Sequence, residues 1–235
     1  MAETTVIAVI VAGGKGTRMG GDRKKQYLEL DGVSVLVHTL QAFDRHDQTH
    51  AIILVVPESD LGFCNTLVCS RPFDTPVHLV AGGIERQDSV ENGLRLAKGL
   101  CKTPEQTLVM VHDGVRPFVS HRLMDACLAG AQTTGAVIPA VKIADTIKTV
   151  DDQGNIVNTL DRRRLYRAQT PQTFRLDLGL SAFAHAGDTG FRGTDEASIL
   201  AHSGIPVNVV SGDETNIKLT TPRDLGLAEL ILSRL

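Results

Sequence analysis

The chain has no tryptophan and only two tyrosines, and aromatic residues make up 4% of it. That scarcity argues against a stacking platform for single-stranded nucleic acid. It also lacks a basic excess. The formal net charge is −3, so the bulk electrostatics do not point to a polyanionic duplex. No apolar run approaches membrane length. The longest, Val6 to Ala12, falls far short of the roughly 20 residues that a spanning helix needs. The first residues, MAETT, show no basic segment of the kind that opens a secretory signal. Cysteine is sparse. Cys64, Cys69, Cys101 and Cys127 form no CxxC pair and sit beside no histidine at metal-ligand spacing. They read as reduced, mostly buried small apolar residues of a cytoplasmic protein. No repeat, low-complexity stretch or interdomain linker is visible, and 235 residues suffice for one large α/β domain, 1–235.

What is present is concentrated near the start. Residues 4–12 read as a strand that is apolar throughout, and so buried on both faces. It runs into Ala12, Gly13, Gly14 and Gly16, then Arg18, Gly20, Gly21 and the basic group Arg23, Lys24 and Lys25. Glycines let backbone N–H groups approach an anion, and arginine and lysine neutralise it. This is a phosphate site, on which Arg18 and Lys25 converge. Two familiar patterns fail here. No GK[ST] completes a P-loop, and Met19 stands where GxGxxG needs its third glycine. No acidic residue ends the second strand to bind a ribose.

Downstream, strands and helices alternate. Helical spacing covers Val33 to Phe43, Glu58 to Ser70, Glu85 to Leu100 and 121–133. Strands are expected at Ala51 to Val56, Val77 to Val80, Leu108 to Val111 and Ala136 to Val141. That order implies right-handed crossovers and an open, mostly parallel sheet. After Val141 the pattern changes. Residues 142–165 read as two weakly apolar strands about a turn at 151–154, a hairpin arm that buries little against its own domain. The chain returns through Tyr166 to Phe174 to a helix near 176–186. A capped helix follows Thr194-Asp195-Glu196, then a last core strand at Pro206 to Val210. A helix at Leu225 to Leu232 is started by Thr221-Pro222.

Three further junctions carry chemistry. Gly82-Gly83 leads into a helix with Ser89 in its first turn, where a hydroxyl can meet a base or sugar or simply cap the helix. His112-Asp113-Gly114-Val115-Arg116-Pro117 follows an apolar strand, at the end of the sheet where α/β ligands bind. There Asp113 is placed to hold Mg²⁺ or another divalent cation, Arg116 can hold an anion, and His112 reads as a core histidine. Arg162, Arg167 and Lys218 also suit an anionic substrate, or a solvated face; in the same cluster Arg163 and Arg164 read as a solvated face. The remaining histidines are scattered and support no Ser-His-Asp arrangement.

Taken together and in order, AGGKGTRMG with KQYL, GGIERQDSV, VHDGVRP, DTIK, QTPQTF, TDEAS and NIKLTTP resemble the 2-C-methyl-D-erythritol 4-phosphate cytidylyltransferase family over nearly the whole chain. The resemblance implies an α/β, Rossmann-like, open and mostly parallel sheet flanked by helices, of the nucleotidyltransferase type, with a protruding β-hairpin arm. It implies transfer of CMP from CTP to methylerythritol phosphate with release of pyrophosphate. Arg18 and Lys25 match the catalytic cations. Ala12, Gly13, Gly14, Gly16, Gly83, Ser89, Asp113, Gly114 and Lys218 match CTP-binding positions, with Asp113 also the metal position. Arg116, Thr170, Thr194 and Lys218 match the methylerythritol phosphate site. Thr146 and Arg162 match arm residues that reach a neighbouring subunit, which implies a homodimer. Lys24 departs from a usual proline, Gly13 from a frequent alanine, and Ile84 from a residue that is often polar. Two other readings stay open: a ribitol 5-phosphate cytidylyltransferase, and a non-catalytic nucleotide-binding relative.

Overall fold

The structure is a computed structural model that describes residues 4–14 and 24–234. Strand β1 (Thr5–Val11) is the axis of the molecule. It pairs in parallel with β4 (Ala51–Val56) on one side and with β6 (Thr107–Asp113) on the other. The short strands β2 (Glu29–Leu30) and β3 (Val33–Ser34) form a small hairpin of their own. They displace the start of the first helix from the expected Val33 to Val35. That helix, α1 (Val35–Asp44), begins where Ser34 caps it by accepting from the Val37 N–H.

Helix α2 (Leu61–Cys69) leads to β5 (Val77–Ala81), which extends the sheet beyond β4. Helix α3 (Arg86–Leu100) then carries the chain back across to β6. After α4 (His121–Thr134), β7 (Ala136–Lys142) joins the sheet through β11. The arm holds β8 (Lys148–Val150) and β9 (Ile156–Thr159), an isolated antiparallel pair. The return segment expected at Tyr166 to Phe174 is two antiparallel strands, β10 (Tyr166–Ala168) and β11 (Gln172–Arg175). They lie against β7, and β11 also pairs with β6. Helices α5 (Leu176–Thr189) and α6 (Glu196–His202) follow, then β12 (Asn208–Ser211) and α7 (Pro222–Leu232). The expected last core strand, Pro206 to Val210, is corrected here. β12 pairs only with β7, and Val209 is 51% exposed, so it is an edge strand, from which Val210 still packs against the core.

The sheet is buried on both faces, and alternation decides which residue goes where. Val6, Ala8 and Ile10 of β1, with Ile52, Leu54 and Val56 of β4, pack against α1, α2 and α4. Ile7 and Val9, with Ile53 and Val55, pack against α3, α5 and α6. Each fully buried aliphatic side chain contributes about 1.5–3 kcal/mol. A third cluster, around Leu30, Val35, Phe118 and Leu219, seats α7. Cys64 and Cys127 are buried as expected, whereas Cys101 is half-buried and Cys69 exposed. Among the described residues, no helix is long and apolar enough to cross a membrane.

Candidate active site

The chain runs from β1 to β4 and β5 on one side, then turns back to β6 on the other. The crevice between the carboxyl ends of β1 and β6 is therefore the point where strand order reverses, the usual ligand site of such sheets. Val11 pairs with Asp113 across it. Here the structure forms a cleft of about 320 Å³.

Eight of the expected residues line this cleft: Ala12, Gly13, Gly14, Lys25, Gly83, Ser89, Asp113 and Lys218. Gly16 and Arg18 lie outside the described residues. Gly13 and Gly14 are not imposed by packing. A Cβ on Gly13 would meet Ser89 Oγ at 3.7 Å, and one on Gly14 would meet Lys25 Cε at 3.5 Å, both ordinary contacts. The open backbone is thus left for a ligand. Gly83 differs, because a Cβ there would come within 2.2 Å of Asp88 Cβ. The capping box of Glu85 and Asp88 that starts α3 folds the loop back on itself and leaves room only for glycine. Ser89 Oγ accepts from the Gly83 N–H at 3.1 Å and donates to the Glu85 carbonyl at 3.0 Å. It therefore fixes the loop whose tip, Ile84, is 99% exposed on the cleft wall.

Asp113 is the electrostatic centre. It is 7% exposed and faces three cations. Lys218 Nζ lies 2.9 Å and Arg116 Nε 3.4 Å from Oδ2, and Arg86 Nε lies 3.5 Å from Oδ1. Burial opposes ionisation, but Arg86, Lys218 and Arg116 outweigh it and hold the carboxyl well below the usual carboxylate range. Arg116 also donates to the Asn216 carbonyl at 2.7 Å. His112 is a core histidine. Its ring lies between the Arg116 carbonyl, 3.0 Å away, and Thr170 Oγ1, 2.9 Å away. Burial drives its pKa down to about 4, so it is neutral near pH 7.

The other expected residues lie around the cleft. Thr170 sits behind Asp113, where its hydroxyl oxygen accepts from the Asp113 N–H at 3.2 Å. Gly114 packs between Ala12 and Leu36. Thr194 is exposed just ahead of the Asp195 cap of α6. Thr146 and Arg162 are exposed on the arm, where Arg162 donates to the Ala144 carbonyl at the arm's base.

Two residues of the site were missed. Arg86 spans Asp113 and Glu196; Glu196 is fully buried, and its Oε1 and Oε2 accept from the guanidinium at 2.5 and 3.2 Å. Both stand inside quoted motifs, GGIERQDSV and TDEAS. Each reads locally as a residue of a helix's first turn, so nothing near either one announces the other. Gln26 is also buried, and its amide donates to the Ala12 carbonyl at 2.9 Å. Among the described residues no group of three or more acidic, histidine or cysteine side chains is gathered as a metal site. Asp113 is a hard oxygen donor, which suits Mg²⁺ held jointly by one carboxylate and substrate phosphates.

A mostly parallel sheet with a glycine-lined, cationic cleft at its switch point defines the class: an α/β nucleotidyltransferase. The family described as 2-C-methyl-D-erythritol 4-phosphate cytidylyltransferase matches residues 6–234. The enzyme of that name from Bacillus licheniformis is 44% identical over 224 residues, covering 95% of this chain and 94% of the relative. That from Syntrophus aciditrophicus is 44% identical over 231 residues, covering 97% and 96%. The crystal structure of 4-diphosphocytidyl-2C-methyl-D-erythritol synthase from Anaerococcus prevotii superposes with a TM-score of 0.83 at 32% identity, covering 99% of this chain and 97% of that one. The chain belongs to the 2-C-methyl-D-erythritol 4-phosphate cytidylyltransferase family.

Proposed function

We propose that this chain, a single nucleotidyltransferase domain, transfers the cytidylyl group of CTP to 2-C-methyl-D-erythritol 4-phosphate. The products are 4-diphosphocytidyl-2-C-methyl-D-erythritol and pyrophosphate, in the non-mevalonate route to isoprenoids. The family match over residues 6–234 is the observation that carries this reading. The acceptor phosphate attacks the α-phosphorus in line, and pyrophosphate leaves. Such a reaction is advanced by positioning and charge stabilisation rather than by a protein nucleophile.

In this reading the Ala12–Gly14 backbone receives the CTP phosphates, and the Gly83 loop steadied by Ser89 receives the cytosine. Arg18 and Lys25 stabilise charge on the transferring group. Arg116 and Lys218 are held on Asp113 until phosphates compete for them. Asp113 would hold Mg²⁺ or another divalent cation, which would supply further charge neutralisation. Thr146 and Arg162 serve the acceptor site of a neighbouring subunit in a homodimer joined through the 142–165 arm. Exposure of Val150, Ile156 and Val157 on that arm supports the dimer, and the protein acts in the cytoplasm.

The family match favours methylerythritol phosphate over ribitol 5-phosphate. Turnover with both acceptors at saturating CTP and Mg²⁺ tests the assignment. The expected result is a clear preference for methylerythritol phosphate. A preference for ribitol phosphate, or no pyrophosphate release with any polyol phosphate, overturns it.

A further inference from the structure

Lys25 is delivered to the cleft by a single 3-10 turn, Lys25–Tyr27. Three residues per turn bring the flanking positions 24 and 27 to one side and leave 25 to another. Both flanking side chains end on the same carboxylate. The Lys24 ammonium donates to Asp60 Oδ1 at 2.6 Å and Oδ2 at 2.8 Å. The Tyr27 hydroxyl donates to Oδ2 at 2.7 Å, and Ser59 Oγ donates to Oδ1 at 3.0 Å. Asp60 is 8% exposed. It closes the short turn that follows β4, so it is anchored to the sheet. The Tyr27 ring is braced edge-on by Phe63, with centroids 4.9 Å apart. On its other side the turn is tied to the end of β1 by the Gln26 bond to the Ala12 carbonyl.

Asp60 does not line the cleft. With Lys24, Tyr27 and Phe63 it walls a separate cavity of about 530 Å³. Whatever it contributes to the chemistry passes through the turn. We propose that Asp60 is a positioning residue for the transfer reaction, holding Lys24 and Tyr27 so that the turn between them presents Lys25 to the cleft. This rests on the reading of Lys25 as a catalytic cation. An exposed ion pair would hold such a turn weakly. This one has a carboxylate side chain only 11% exposed, and two hydroxyl donors join it. The Lys24 backbone makes the device explicit. Its φ of −63° is the value that a proline ring would impose, with an extended ψ of 140°. Here a side-chain pair supplies the restraint that a ring would supply covalently.

The test uses Asp60→Ala, Asp60→Asn, Lys25→Ala and the double variant Asp60→Ala with Lys24→Pro. Each is assayed for CTP-dependent pyrophosphate release with methylerythritol phosphate, and its folding is followed by circular dichroism. Asp60→Ala should lower kcat about tenfold, the scale expected of a small misplacement of a catalytic group, while the acceptor KM stays near the parent's. Asp60→Asn keeps an acceptor for Tyr27 and should fall between the two; it also serves if the alanine variant folds poorly. Lys24→Pro should restore most of the lost rate in the Asp60→Ala background, because the ring fixes φ without the carboxylate. A role in folding alone gives no such rescue. An Asp60→Ala or Asp60→Asn enzyme as fast as the parent overturns the proposal, and so does a loss that Lys24→Pro leaves unrepaired. Lys25→Ala separates the two readings. If it is as fast as the parent, the catalytic reading of Lys25 falls and the proposal with it. If it is slow while Asp60→Ala is fast, only the proposal falls.

Discussion

Asp113 and Glu196 are buried carboxylates joined by the half-buried Arg86, which serves both at once. Burial raises the pKa of Glu196, and Arg86 works against that rise. Without Glu196 the guanidinium, 30% exposed, keeps Asp113 but loses its two bonds to Glu196. Glu196→Ala should therefore destabilise the fold by about 1–3 kcal/mol, as read by urea unfolding; no measurable loss would contradict this. His112 gives a pH prediction. Its folded pKa, about 4, lies below the ordinary 6.5, so between these values the unfolded chain binds more protons than the folded one. Its contribution to stability is fully present above pH 6.5 and is lost as pH falls toward 4. The slope of stability against pH in that window should flatten in His112→Asn, whatever the variant's absolute stability. A parallel slope in parent and variant would assign the effect elsewhere. At this scale the sequence was informative wherever a residue's neighbours in the chain are also its neighbours in space. Asp113 and Arg116 are three apart and touch. Arg86 and Glu196 are 110 apart, and only the packing of α3 against α5 and α6 brings them together.

The arm is the element with the least support from its own chain. Every residue of β8 and β9 is exposed, and Val150, Ile156 and Val157 are 58%, 65% and 67% exposed. Replacing these three by serine should convert a dimer to a monomer in sedimentation while the circular dichroism spectrum stays that of the parent. An unchanged sedimentation coefficient would remove the arm from the interface. Arg162→Ala should raise the acceptor KM and leave CTP binding nearly untouched; an unchanged acceptor KM and kcat would break the link between arm and site. The arm was legible because its alternation is weakly apolar and its turn, Asp151 to Gly154, is rich in turn formers. Elsewhere the limits are physical. Tyr166 to Phe174 is divided between two strands by the buried Gln169 and Thr170, which bond across to the 213–216 loop and to His112. Local pattern carries no trace of those partners. β12 has the apolar content of a core strand, yet its place at the sheet edge is set by the course of the chain after α6.

At the scale of the molecule, one topological event accounts for the site. The order β5-β4-β1-β6 places the glycine segment and Asp113 on either side of a single crevice. α3 brings Arg86 and Ser89 to its rim, and the chain beyond β12 returns Lys218. An acidic protein thereby presents a cleft lined by Lys25, Arg86 and Lys218 around Asp113. On the proposed function this cleft binds the CTP phosphates and Lys25 stabilises transfer of the cytidylyl group. Pyrophosphate release at saturating CTP, Mg²⁺ and methylerythritol phosphate, in the parent and in Lys25→Ala, tests it most directly. The account predicts a kcat lower by roughly 10²–10³ in the variant, the scale of one lost transition-state donor. A variant that releases pyrophosphate at the parent's rate would contradict it.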